Sequence, residues 1–313
     1  MAGQTTRFPT ALVRPSRGGR FNLIGAYAHY SAIGGGQSNT IASKTTVISG
    51  GLQNLISSNA DFSVIGGGWG NTVASNSSGS SISGGKFNVI GANAYNSVIG
   101  GGAWNTVTAS NSVVPGGASN TVSGAGSFAA GSYAVAPNNG SFVWSDDSTT
   151  SYFTSTNDYS FNARAAGGYR LYTSSSGAGG AGVYLAAGGN SWVSVSDRNA
   201  KKNFQPVNPE TVLAKLASVP IQQWNYKWEK DSDVPNIGPM AQDFMAAFYP
   251  GRDDKGISTL EFDGVELAAI QGLNEKVESG KRQAESQMEE LRAENAELKA
   301  RLEKLEQTLL EKK

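Results

Sequence analysis

The chain has 313 residues, of which 40 are glycine and only 16% are charged, and its acidic and basic side chains are equal in number. Its length allows about two domains, but this composition is unusual for an ordinary globular core. Zero net charge gives no overall attraction to nucleic acid or acidic lipid. Without cysteine, and with His29 as the lone histidine, the chain has no disulfides, thiol nucleophiles or Cys-ligated metals, and we expect neither a metal nor a cofactor.

No apolar run is long enough for a transmembrane helix, and the polar start from Met1 to Arg7 lacks the apolar segment of a secretory signal. We therefore expect synthesis in the cytoplasm, no membrane insertion, and an extracellular role only after release. Residues 1–17, with three arginines, are expected to form a leader that attaches the protein to a baseplate or tail protein.

An internal repeat occupies residues 18–140 and is the strongest signal in the chain. In each repeat an asparagine stands four residues after the start of a Gly-Gly pair, and β-branched residues stand two positions after the asparagine and two before the next pair. Each repeat thus predicts two short strands, separated by turns in which Gly and Asn supply positive φ. The repeated structural asparagines are Asn22, Asn39, Asn54, Asn71, Asn88, Asn105 and Asn120.

A single coil of this kind cannot bury its own apolar side chains, so successive coils must stack around a narrow core of Ile and Val. The fold class predicted for this half is mainly β, a stacked parallel β-roll or solenoid. Between Phe21 and Gly140 the only formal charges are Lys44, Asp61 and Lys86. So few charges favour a surface covered by sister chains, and we expect an intertwined homotrimer. A monomeric solenoid with a purely structural role is the alternative.

The core Gly-Gly-x-x-x-Asn-x-(Ile/Val) over residues 18–123 resembles the head repeats of trimeric autotransporter adhesins of the YadA-like type. That resemblance implies a trimeric left-handed β-roll. The repeat is longer here than in those adhesins, and a phage or injection-system fibre fits it better than a self-exporting adhesin.

Aromatic residues punctuate the turns of the repeats. We single out Trp69, Phe87, Tyr95 and Trp104 as candidate receptor-binding residues, because flat rings stack on the apolar faces of sugars. Packing between coils is the alternative interpretation. The receptor is expected on a cell surface, and the sequence leaves open whether it is a glycan or a protein.

Residues 141–195 break the repeat and predict a β-rich neck with short strands near residues 160–165, 169–172 and 182–185. The Gly/Ser-rich stretch 174–182 is predicted to be a loop within this neck.

After residue 196 the pattern becomes that of helices. Asn208 and Pro209 predict a helix start as N-cap and first helical residue. Residues 221–228 alternate as a strand, and a second helix is predicted from residue 237. Asp263 opens a capping-box-like pattern for a helix without a stop signal before the C-terminus.

Four motifs lie in this half: Ser196-Asp197-Arg198-Asn199-Ala200-Lys201, Trp224-Asn225-Tyr226, Ile237-Gly238-Pro239-Met240-Ala241-Gln242-Asp243-Phe244 and Asp263-Gly264-Val265-x-Leu267-Ala268-Ala269-Ile270-Gln271-Gly272-Leu273-Asn274. With them, residues 196–274 resemble the intramolecular chaperone domain of phage tailspikes and tail fibres, peptidase family S74. The resemblance implies a small α+β domain that trimerises, helps an upstream β-fibre to fold, and releases itself by cutting next to Ser196.

Carried over from that family, Ser196 is the expected nucleophile and Lys201 its general base, with Asp197 in a supporting role. A serine hydroxyl attacks poorly until a base takes its proton, and a desolvated lysine can do so. Read without the resemblance, Ser196-Asp197 is an ordinary helix cap. We expect no catalytic activity besides a single-turnover Ser/Lys self-cleavage.

Heptads predict a coiled-coil trimerisation tail over residues 275–313. Leucines at a and d do not distinguish two strands from three. The a positions are Leu267, Asn274, Lys281, Met288, Asn295, Leu302 and Leu309, and the d positions are Ile270, Val277, Ala284, Leu291, Leu298 and Leu305.

Together these features predict a trimeric tail-fibre or adhesin-like structural protein that works on a phage virion or contractile injection particle. It would carry receptor contacts upstream and a self-releasing chaperone downstream. A chaperone that stays attached as a permanent trimerisation cap is the alternative. A glycan-degrading tailspike is disfavoured, because the repeats have almost no carboxylates to act as acid and nucleophile.

Overall fold

The computed structural model describes residues 19–175 and 181–310. The predicted leader at residues 1–17, most of the predicted loop at 174–182 and the last three residues lie outside the described residues. The chain forms two compact units, one with residues up to Thr173 and Gly182–Val193, the other with Ser194 and the residues that follow it.

The first unit is a parallel β-solenoid of about nine turns, as the repeats predict. Each turn contributes one strand to each of two nine-stranded sheets, and every strand pairs with the equivalent strand of the neighbouring turn. Sheet one consists of Ala32–Ile33, Val47–Ile48, Val64–Ile65, Ser81–Ile82, Val98–Ile99, Val113–Val114, Phe128–Gly131, Phe142–Ser145 and Phe161–Arg164. Sheet two consists of Leu23–Ile24, Thr40–Ile41, Leu55–Ile56, Thr72–Val73, Val89–Ile90, Thr106–Val107, Thr121–Val122, Ala134–Ala136 and Phe153–Thr154.

A third side closes each coil. It begins with the pair Gly19–Arg20 and Gly36–Gln37. From Gln37 onwards it continues as single-residue parallel bridges through Leu52, Trp69, Lys86, Ala103, Ala118 and Ser132.

The second residue of each short strand points inward and is β-branched. These residues are fully buried from Ile41 to Val122 and form one continuous core. Such a core exists only because coils stack, since each two-residue strand is too short to be stable alone.

The repeated asparagines lie inside the solenoid and connect its coils. In Asn54, the side-chain Nδ2 donates to Asn39 Oδ1 at 3.1 Å, and to the carbonyls of Gly50 and Gly68 at 3.0 Å each. The backbone N–H of Asn54 also donates to Asn39 Oδ1, at 3.0 Å. The Asn54 side chain thereby satisfies backbone groups of its own coil and of the next one, and it contacts the asparagine side chain of the preceding coil, which explains why asparagine recurs at this position.

The second glycine of each Gly-Gly pair is required by a close approach between coils. Gly85 has a φ of 86°, and a Cβ there would stand 2.1 Å from the carbonyl oxygen of Gly102. No side chain fits at that distance, so the Gly-Gly signal marks the tightest backbone contact of the repeat.

The border predicted at residue 140 does not coincide with an end of the solenoid. Phe142–Ser145 and Phe161–Arg164 continue sheet one, and Phe153–Thr154 continues sheet two. The repeat signal disappears there because the Gly-Gly and Asn residues are lost, although the strand pairing persists. Beyond it, Tyr169–Tyr172 and Gly182–Leu185 pair as antiparallel strands, and Val193–Ser194 joins them in a three-stranded sheet.

The second unit contains three α-helices: α1 (Pro209–Ser218), α2 (Ala241–Phe248) and α3 (Thr259–Leu310). Asn208 caps α1 by accepting from the N–H of Thr211 at 2.8 Å, which confirms the predicted helix start. A hairpin of Gln222–Trp224 and Asn236–Gly238 precedes α2. None of the helices among the described residues is both long and apolar enough to span a membrane.

Two predicted helix starts are wrong. Residues 236–238 are a strand, and α2 begins only at Ala241, because Pro239 interrupts the backbone pattern between them. The long helix begins at Thr259 and not at Asp263, since Ser258 already accepts the first hydrogen bonds from Glu261 and Phe262.

The helices pack around Phe244, which is fully buried, together with Met245 and Val265. In α3, the buried residues are Val265, Ala269 and Gly272. Beyond Gly272 the described part of α3 is exposed on all sides, so its remaining length is not held by its own chain.

Candidate functional site

Ser196 and Lys201 lie side by side. Lys201 Nζ donates to Ser196 Oγ at 2.7 Å. A single 3-10 turn, Arg198–Ala200, separates the two residues and folds the chain back on itself. The structure therefore brings together the two residues that a Ser/Lys nucleophile requires.

Asp197 holds this turn. Its carboxylate accepts from the backbone N–H of Asn199 at 2.9 Å and from the Asn199 side chain at 3.1 Å. Lys201 then closes the turn by donating its backbone N–H to Arg198 at 3.1 Å. Asp197 thus positions the loop and makes no contact with Lys201 Nζ among the hydrogen bonds of the described residues.

Residues 196–208 are all exposed. A lysine serves as a base only in its neutral form, which burial or a neighbouring cation favours. Within a single chain, Ser196 and Lys201 are not buried. Their side chains are in contact, but the desolvation that a neutral lysine base requires is absent.

Three of the four candidate receptor residues form a row on one side of the solenoid. The rings of Trp69 and Phe87 have centroids 4.6 Å apart, and those of Phe87 and Trp104 are 6.2 Å apart and inclined by 17°. Trp69 and Trp104 are 44% and 54% exposed. We call these three residues the aromatic row.

Tyr95 is separate from the aromatic row. It lies in the turn between Val89–Ile90 and Val98–Ile99, whereas the row lies on the third side of the coils and the turn that follows it. Tyr95 is half exposed and belongs to no ring pair among the described residues.

Two polar residues, Lys86 and Gln53, lie beside the aromatic row and were not among the candidate receptor-binding residues predicted from the sequence. Lys86 Nζ lies 4.7 Å from the centre of the Trp104 ring, and Gln53 Oε1 accepts from Trp69 Nε1 at 2.9 Å. Their positions in the repeat could have identified both residues. Gln53 directly precedes Asn54, just as Phe87 directly precedes Asn88, so Gln53 and Phe87 are equivalent positions. Lys86 is equivalent to Trp69, one coil later.

Comparison with known protein families bears on the second unit. The model of the Peptidase_S74 family, described as chaperone of endosialidase, matches residues 196–251. This match confirms the predicted S74 chaperone resemblance over residues 196–251. No curated protein and no solved structure matches the chain.

The match begins at Ser196, so the Ser/Lys pair stands at the first residue of the S74 chaperone domain. The other motifs that resemble the S74 family form the core and the hairpin of this domain. Phe244 is the central buried side chain, while Trp224 and Tyr226 pack edge to face at 4.8 Å. Tyr226 in turn stacks on Trp228 at 4.3 Å. These aromatic residues account for the hairpin, and only Ser196 to Lys201 carries reactive groups.

Proposed function

We propose that this chain is a trimeric tail-fibre-like protein whose β-solenoid is assembled with the help of its S74 chaperone domain. The combination of a parallel solenoid with a downstream chaperone domain supports this function. Parallel strands form only after distant chain segments have met, so their folding is slow and exposed to aggregation. A domain that holds chains together near one end raises their effective concentration and favours a common register.

Helix α3 supports the trimer. Its contacts within the chain use Val265, Ala269 and Gly272, which are heptad positions f, c and f. The large apolar residues at a and d lie on another face and remain exposed, from 54% at Met288 to 67% at Leu309. An isolated helix gains little stability in water, and leucine at these positions is typical of a helix that packs against copies of itself.

Self-cleavage by Ser196 is the second part of the proposal. Ser196 Oγ attacks the carbonyl of an adjacent peptide bond, and its proton passes to neutral Lys201 Nζ and then to the departing amine. Water hydrolyses the resulting ester and restores the serine. The 2.7 Å contact between the two side chains supports these roles. Because the pair is exposed in one chain, we expect assembly to supply the missing desolvation.

Denaturing gels of the purified full-length chain test this step. The wild type should yield two fragments that meet near residue 196, while Ser196→Ala and Lys201→Ala should stay whole. Ser194→Ala and Lys202→Ala are the controls, because they keep the Ser196–Lys201 contact. An intact wild-type band after prolonged incubation would contradict self-cleavage and would support a permanent trimerisation cap.

Light scattering on the Ser196→Ala protein tests the trimer independently of cleavage. The expected mass is three chains. A mass of one chain would overturn the trimer and leave a monomeric solenoid as the alternative.

Receptor binding is a further part of the proposed function, and the aromatic row supports it. Flat exposed rings suit the apolar faces of pyranoses, and Lys86 adds a cation beside Trp104. Together they favour a glycan, on the surface of the cell to which a phage or injection particle attaches. The proposed role of the protein is therefore attachment, with other tail or baseplate proteins as partners.

Tryptophan fluorescence during titration with bacterial surface polysaccharides tests this assignment. Trp104→Ala and Lys86→Gln should weaken any binding at least tenfold, while Tyr95→Ala, in the separate turn, should leave it unchanged. Equal loss in Tyr95→Ala would contradict the aromatic row as the binding surface.

A further inference from the structure

The outer face of sheet one carries a straight apolar ridge. The first residue of each strand points outward, and the strand register places these residues directly beside one another from coil to coil. We call this set the sheet-one ridge: Ala32, Val47, Val64, Ser81, Val98, Val113, Phe128, Phe142 and Phe161.

Five of the nine ridge residues are exposed in the single chain, and the other four are half-buried. Val47, Val64 and Val98 are 38–39% exposed, and Phe161 is 75% exposed. Near its end, Phe128, Phe142 and Phe161 stack face to face at 4.7 and 4.6 Å. Eight of the nine positions are apolar, none is charged, and Ser81 is the single polar member.

The other sides of the solenoid differ. The outward positions of sheet two alternate with threonine, as at Thr40, Thr72 and Thr106. The third side contains Gln37 and Lys86. The sheet-one ridge is thus the side of the described coils with a single polar position and no charge.

The size of the ridge fits an interaction surface. Nine strands about 4.8 Å apart give a length near 40 Å, and a width of about 10 Å gives roughly 400 Å². Apolar patches of this size on a monomer are often functional. It is smaller than the roughly 800 Å² that each partner buries in a standard interface, so the ridge needs a second contact to hold an assembly together.

We propose that the sheet-one ridge is the face through which copies of this chain pack in the fibre, in parallel and in register. This inference rests on the trimer of the proposed function and names its interface. A partner must be uncharged and apolar over the same 40 Å and with the same spacing per coil. A second copy of this chain meets all of these conditions, with Ser81 facing Ser81 and the phenylalanine stacks at one height. The exposed a and d face of α3 supplies the second contact.

The absence of cysteine allows a direct test. In full-length protein carrying Ser196→Ala, single variants Val64→Cys and Val98→Cys place a thiol on the ridge. Thr72→Cys and Thr106→Cys are the matched controls, because they lie at outward positions of sheet two on neighbouring coils. Each variant is treated with a short bis-maleimide and run on a denaturing gel, and its native mass is measured by light scattering.

We expect covalent dimers from both ridge variants and at least tenfold less from both controls. Crosslinks formed only when Val64→Cys and Val98→Cys chains are coexpressed would show antiparallel packing about Ser81 and overturn the parallel arrangement. A native mass of three chains with no crosslink at the ridge, or with equal crosslinking in the controls, would overturn the ridge and leave the trimer standing. A native mass of one chain would overturn both.

Discussion

Gly272 of α3 lies against Pro209 at the start of α1, so closely that a Cβ on Gly272 would stand 2.4 Å from the Pro209 carbonyl oxygen. The backbones of the two helices meet at this point. We predict that Gly272→Ala destabilises the chaperone domain by about 1–3 kcal/mol, because α1 must shift to make room. A lower urea midpoint, followed by circular dichroism at 222 nm, would report the loss.

Gly280 provides the control for that experiment. It lies in the same helix, but nothing stands within 4 Å of the position of its Cβ. Gly280→Ala should stabilise the helix by up to about 1 kcal/mol through its better helix propensity. Equal effects of the two substitutions would contradict the proposed close contact.

Removal of one rung of the asparagine ladder should weaken the whole solenoid. In Asn88→Ala, the N–H of Asn105 and the carbonyl of Gly84 lose the partner that the asparagine side chain provides, while the carbonyl of Gly102 still accepts from the N–H of Lys86. Unsatisfied buried groups cost about 1–3 kcal/mol each, so we expect a loss of about 2 kcal/mol or more and a thermal transition lowered by several degrees. Ser83→Ala, at an exposed position of the preceding turn, should leave the transition in place.

Acid should weaken the end of the solenoid through Asp146. The backbone N–H of Ala166, the Ser148 hydroxyl and the Arg164 guanidinium hold the pKa of this carboxyl below its ordinary value of 3.8. A carboxyl with a lowered folded-state pKa stabilises the fold above 3.8, and this contribution disappears as the pH falls below that value towards the folded-state pKa.

Hydrogen exchange of the strand Phe161–Arg164 would measure this effect. Exchange should speed up in the wild type as the pH falls below 3.8, after correction for intrinsic rates. In Asp146→Asn it should already be fast at neutral pH and show little further pH dependence. Asp147→Asn, at the exposed neighbour, is expected to behave as the wild type. A wild-type profile without pH dependence would contradict the role of Asp146.

The exposed heptad face of α3 predicts sensitivity to charge at the a position. Leu302→Lys should convert the assembled protein to lighter species, because buried a positions tolerate a charge poorly. Gln307→Lys adds the same charge at position f, on the outer face, and should keep the native mass. Light scattering distinguishes the two, and loss of assembly in both variants would contradict the heptad assignment.

The repeated part of the fold was predictable because the same physical requirement recurs in every coil. The core accepts a β-branched residue at Ile48, the buried hydrogen bonds require an amide at Asn54, and the close backbone approach requires glycine at Gly85. Each requirement recurs once per coil and therefore appears in the sequence at a regular spacing. The coils that contain Phe142 and Phe161 were not recognised, since their strands pair in the same sheets without the Gly-Gly and Asn signals. These coils belong to the solenoid only through the hydrogen bonds between their strands and the strands of the preceding coils. Short sequence patterns do not reveal which strands pair or in which register.

The two candidate sites, the Ser196–Lys201 pair and the aromatic row, also differ in how far the sequence could predict them. A lysine five positions after a serine carries almost no information, and only the family resemblance selected Ser196 and Lys201. The side chains meet because Asp197 caps a 3-10 turn between them. Phe87 and Trp104 could be paired from the repeat, because 17 residues separate equivalent positions there. Tyr95 is grouped with them in the sequence only because it is an aromatic residue in a turn of the repeats, and the coil topology places it in another turn.

The asparagine ladder makes the length of the solenoid adjustable. Each asparagine contacts only the coils directly before and after it, so no residue depends on the total number of coils. Duplication of one 17-residue repeat between Asn71 and Asn88 would add about 4.8 Å and leave every other contact as it is. The length of the solenoid can therefore change by whole repeats, in steps of about 4.8 Å.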